Sequence, residues 1–112
     1  MDARGSNYTA TFEPAATTVV FTGEMAAGGT SAYTPLNEVF EKILATQPAT
    51  ITLNMKGLKS SDDAGKNSLY KFVIAARKQG TGLVVQGAAL QPWHRELATG
   101  LKKFHNNITY AE

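Results

Sequence analysis

Apolar residues recur along this chain with two periods, and the change from one to the other marks the elements. Between Asn7 and Phe12, Tyr8, Ala10 and Phe12 alternate with Thr9 and Thr11, the period of a half-buried strand. Glu13-Pro14-Ala15-Ala16 makes a turn, and Thr17–Thr22 is β-branched and aromatic, so the two runs predict an N-terminal hairpin. Gly23–Ala32 is rich in Gly, Ala, Ser and Thr and reads as a flexible loop. The period then becomes helical: Leu36, Val39, Phe40, Ile43 and Leu44 share a face that excludes Glu38, Glu41 and Lys42. Thr34 stands as its cap with Pro35 in the first helical position, and Gln47-Pro48 ends it.

Ile51, Leu53 and Met55 alternate with Thr52 and Asn54, a strand over 50–55. A second helical stripe follows in Leu69, Phe72, Val73 and Ala76, closed by Gln79-Gly80-Thr81-Gly82. Leu83-Val84-Val85 is a continuous apolar run, as in a strand covered on both faces. Pro92 opens a last helix with Trp93, Leu97, Leu101 and Phe104 on one side. Gly100 interrupts it and is a candidate end. Ile108–Tyr110 adds a short edge strand. Strands alternating with helices over short links predict one α/β domain. It has a mostly parallel central sheet of four to five strands, an N-terminal hairpin and about three helices. Residues 1–6 form a frayed polar start and 7–112 the domain. Leu36, Phe40, Ile43, Leu53, Leu69, Val73, Val84 and Trp93 are its expected core.

Composition narrows the function classes. The 112 residues suffice for one core. A net charge of +2 gives no ground for nucleic acid or an anionic membrane as main partner. The absence of cysteine removes disulfide and thiol chemistry and fits a cytoplasmic protein. No apolar run reaches the length of a membrane span. Lys66, Lys71, Arg77, Lys78, Lys102 and Lys103 read as a solvated face.

The stretch from Leu58 to Lys78 carries the strongest candidate chemistry. A strand delivers the chain into the polar turn Ser60-Ser61-Asp62-Asp63, and a helix begins there. Ser and Asp side chains accept bonds from the first unpaired helix N–H groups, and carboxylates suit the positive end of the helix dipole. Gly65 permits a close backbone approach. On these residues alone a plain helix cap accounts for the turn.

This stretch resembles the switch segment of the STAS domain, the fold of bacterial anti-sigma factor antagonists. There a strand leads into Asp/Asn-Ser-Ser/Thr-Gly at a helix start, and the first hydroxyl residue is phosphorylated by a partner kinase. Asp62, Asp63, Ala64 and Gly65 match that pattern in the Asp and the Gly, while both hydroxyl residues are replaced. The run Asn67–Ile74 and Gln91-Pro92-Trp93 are similar to a group of short stand-alone STAS-like regulators, and the likeness spans Thr17 to Phe104. The resemblance implies a non-enzymatic, partner-switching protein without cofactor or metal, a monomer or weak dimer. Its partner would be a serine kinase/anti-sigma factor or a related signalling protein. The contact would be Asp62, Asp63, Ala64 and Gly65, flanked by Ser60, Ser61, Asn67, Ser68 and Glu24. Asp63 then occupies the phospho-acceptor position, either as a fixed imitation of phosphoserine, which carries about −1.5 to −2 charge, or as a helix-start residue of a lost switch. Ser60, Ser61 and Ser68 remain alternative phosphate acceptors.

Two other classes stay open. A small-molecule or nucleotide sensor would use the same helix N-terminus as an anion site, although the glycine-rich loop lacks the Gly-x-x-x-x-Gly-Lys-Ser/Thr pattern. A small enzyme is the third. His94 and His105 are the only histidines, with no partner at a zinc-ligand spacing, and no Gly-x-Ser-x-Gly elbow is present.

Overall fold

The computed structural model describes residues 2–4, 8–25, 33–87, 99–105 and 107–111. Six strands form one sheet in chain order: β1 (Asp2–Arg4), β2 (Tyr8–Glu13), β3 (Thr18–Met25), β4 (Thr50–Ser61), β5 (Gly82–Gln86) and β6 (Ile108–Ala111). The β1–β2 and β2–β3 pairs are antiparallel; β3 to β6 run parallel. Helix α1 (Thr34–Ala45) joins β3 to β4, and α2 (Asp63–Lys78) joins β4 to β5. Residues 99–104 are helical and precede β6.

Each parallel crossover advances by one strand in the same direction. Right-handed connections then place every helix on one face of the sheet. Burial follows this rule. Phe12, Val19, Leu53 and Val85 stand side by side across four strands, and all four are buried. The next row over, Glu13, Thr18, Thr52, Val84 and Thr109, points the other way and is half-buried or exposed. Among the described residues the protein is a two-layer α/β structure, with no helix over its threonine-rich second sheet face.

The helical stripes lie where their spacing puts them. Leu36, Val39, Phe40, Ile43 and Leu44 are the buried residues of α1. Leu69, Phe72, Val73 and Ala76 are buried on α2 with Gly65 and Ser68. Phe40 joins the layers, stacked on Phe72 at 4.2 Å between ring centroids and tilted against Phe21 at 6.3 Å.

Several expectations change. Val84 is only half-buried, because helices cover one face and leave β5 alternating. Asp2–Arg4, expected to fray, pairs with β2 and buries Ala3 completely. Gly23, Glu24 and Met25, read as loop, extend β3. Tyr33, not Thr34, is the N-cap of α1. Gly100 lies inside a helix that runs on to residue 104. A Cβ there would come within 2.6 Å of the Tyr70 hydroxyl, so the glycine is the price of bringing this helix against α2. Trp93, His94 and the Gln91-Pro92-Trp93 run lie outside the described residues. His105 is buried and structural: Asn107 N–H donates to Nδ1 at 2.9 Å, which leaves Nε2–H to donate to the Thr81 carbonyl at 2.8 Å.

Candidate functional site at the start of α2

The site is built by one long strand. β4 is central through Asn54, the last residue that pairs with β5. Beyond it, β4 continues to Ser61 and, among the described residues, pairs only with β3, Gly23 with Leu58, Glu24 with Ser60 and Met25 with Ser61. Ser60 and Ser61 therefore belong to a strand rather than to a polar turn. The register shifts twice in this extension, between Val20 and Thr22 and between Gly23 and Glu24. Such bulges insert a residue and increase local twist. Among the described residues, the α2 N-terminus is thus carried on a two-stranded ribbon beyond the end of β5.

The two adjacent aspartates separate into different environments. Asp62 is the N-cap of α2, with extended backbone. Its Oδ1 accepts the Gly65 N–H at 2.8 Å and the Tyr33 hydroxyl at 2.8 Å. Its own N–H donates to the Met25 carbonyl at 2.6 Å, and its carbonyl accepts the Lys66 N–H at 3.0 Å. One residue thus ties the end of β3, the start of α1 and the first turn of α2 together. Asp63 is the first helical residue and is exposed. Its carboxylate makes no hydrogen bond or ion pair with a described residue.

Gly65 is buried because the turn is tight. A Cβ at that position would come within 2.6 Å of Ser61 Oγ and 2.9 Å of Met25 Cε. Among the other expected contact residues, Ser68 is buried and faces the core. Ser60, Ser61 and Ala64 are half-buried, whereas Asn67 and Glu24 are exposed. The surface on offer at this end of α2 is accordingly Glu24, Ser60, Asp63, Ala64 and Asn67, with Gly65 and Ser68 beneath it.

Tyr33 is the residue that sequence reasoning missed. It is fully buried, and its ring lies 5.4 Å from that of Tyr8. A large aromatic between a glycine-rich loop and Thr34-Pro35 was the available signal. Its partner 29 residues away could not be read from local spacing. Burial raises the pKa of the Tyr8 hydroxyl above its ordinary 10.0.

Among the described residues no group of three or more His, Cys, Asp or Glu side chains converges as a metal site. No described helix is long and apolar enough to cross a membrane. No family model, curated protein or solved structure matches the chain.

Proposed function

We propose that this protein is a non-enzymatic partner-switching regulator resembling an anti-sigma factor antagonist. It docks through the N-terminus of α2 onto a serine kinase/anti-sigma factor or a related signalling protein. One observation carries the reading: Asp62 supplies the side-chain cap of α2, which leaves the Asp63 carboxylate exposed beside it. A helix start that needed only a cap has one in Asp62. The second carboxylate stands where the resemblance expects a phosphorylated side chain, at the positive end of the helix dipole. Glu24, across the strand pair from Ser60, adds to the acidic character of this end. The partner surface that fits it carries cations. The sensor alternative is disfavoured here, because Asp62 and Asp63 already place negative charge where an anionic ligand would sit.

Placement of a photo-crosslinking side chain at the exposed Asn67 tests the reading. Irradiation in the source cells should trap one protein species. The same probe at Thr11, on the threonine-rich sheet face, should not trap it. Trapping of that species from Thr11 and not from Asn67 would put the partner surface on the sheet and overturn the proposal.

A further inference from the structure

The opposite end of α2 differs in chemistry from its start. Its last turns and helical residues 99–104 flank an open surface cleft of about 450 Å³, lined among the described residues by Ile74, Arg77, Lys78, Lys103 and Phe104. That volume lies within the range of small-molecule sites, about 300–1,000 Å³. We propose that this cleft binds a small amphipathic organic anion, an aromatic or aliphatic body bearing a phosphate or carboxylate.

Three features converge on that ligand class. First, the charged side chains that line the cleft among the described residues are all cations, and none of Arg77, Lys78 and Lys103 forms an ion pair with a described residue. The only carboxylate on α2 is Asp63, about 20 Å from Arg77 along the helix axis. The asymmetry belongs to the whole chain: seven of its eleven Lys and Arg residues, against one of its nine Asp and Glu residues, lie between 64 and 105. Like charges gathered with no counter-charge among the described residues hold a positive potential that draws anions. Placement in the last turn of a helix favours Arg77 and Lys78 on α2 and Lys103 on helical residues 99–104 alike, and the packing of the two helices brings these cations around one cleft.

Second, the floor is apolar. Phe104 is the large hydrophobic side chain most exposed among the described residues, at 36%, and Ile74 beside it is half-buried. Third, the ring is positioned. Tyr70 packs on Phe104 at 5.4 Å between centroids, and Gly100 gives the two helices room to bring these rings together. A fixed aromatic next to three cations offers stacking and charge pairing to one ligand at once. This site lies at the far end of α2 from Asp63 and does not depend on the function proposed above.

The test is an NMR titration of the full chain at low salt with phenyl phosphate, inorganic phosphate and benzyl alcohol. Phenyl phosphate should shift the amide signals of residues 74–78 and 101–104 in a saturable way. Inorganic phosphate and benzyl alcohol should bind about tenfold more weakly or less, since each lacks half of the recognition. Phe104→Ala and the pair Arg77→Gln/Lys103→Gln should each weaken phenyl phosphate about tenfold; the exposed pair should keep the thermal melt of the parent, while Phe104→Ala, which loses its packing on Tyr70, should melt lower but remain folded. Added salt should weaken binding. Equal binding of phosphate and phenyl phosphate, unchanged affinity in folded variants, or no saturable shift at these residues would overturn the proposal.

Discussion

Asp62 and Asp63 are chemically identical neighbours in different environments, and the difference is measurable. Asp62→Ala removes a helix cap and an acceptor of the buried Tyr33 hydroxyl. The expected loss is about 2–3 kcal/mol in denaturant unfolding. Asp63→Ala removes only a charge near the helix dipole and should cost about 1 kcal/mol or less. Equal losses for the two variants would show that the capping role is shared. Tyr8 gives a pH test. Its folded-state pKa is raised by burial, so its contribution is complete below pH 10.0 and is lost as pH rises through the folded value. Unfolding midpoints should therefore fall above pH 10.0. Tyr8→Phe should show a shallower alkaline fall than the parent, and parallel curves would contradict the assignment.

The elements differ in how far local sequence determines them. The stripes of α1 and α2 were legible because a face buried at every third or fourth residue needs nothing beyond the helix itself. β4 was legible only as far as Met55. There the alternation of Ile51, Leu53 and Met55 ends, and the next buried residue, Leu58, is out of phase. The irregular pairing with β3 accounts for that change of phase, since a bulge moves every later side chain by one position. Gly23–Met25 and Asp2–Arg4 are strands because neighbours pair with them, a fact their own residues do not encode. Gly65 shows the same point in energetic form. Alanine is intrinsically better in a helix than glycine by about 1 kcal/mol. Gly65→Ala should nevertheless destabilise the protein by about 1–3 kcal/mol, because the new methyl meets Ser61 and Met25. Thermal unfolding that rises in this variant would mean that the α2 start relaxes freely.

At the scale of the whole molecule, topology decided what hydropathy could not. Leu83-Val84-Val85 reads as a doubly covered strand, yet strand order in sequence puts the helices on one side and turns Val84 to the second face. The same order carries the two ends of α2 to separate surfaces, one acidic at Asp63 and one basic at Arg77 and Lys78. In the candidate site, the motif Asp62-Asp63-Ala64-Gly65 was legible. The anchoring by Tyr33 and the burial of Gly65 and Ser68 were not, because each depends on chain segments distant in sequence. The central claim is that Asp63 faces a partner while Asp62 holds the fold. Calorimetric titration of the captured partner with the parent, Asp63→Ser and Asp63→Ala tests it most directly. A carboxylate desolvated in a docked interface predicts that both variants change affinity by tenfold or more, about 1.4 kcal/mol, with unfolding midpoints close to the parent. If phosphorylation-like charge blocks a kinase complex, Asp63→Ser binds that kinase more tightly and becomes its substrate. The same affinity for all three proteins, with no phosphate incorporated at residue 63, would contradict the account.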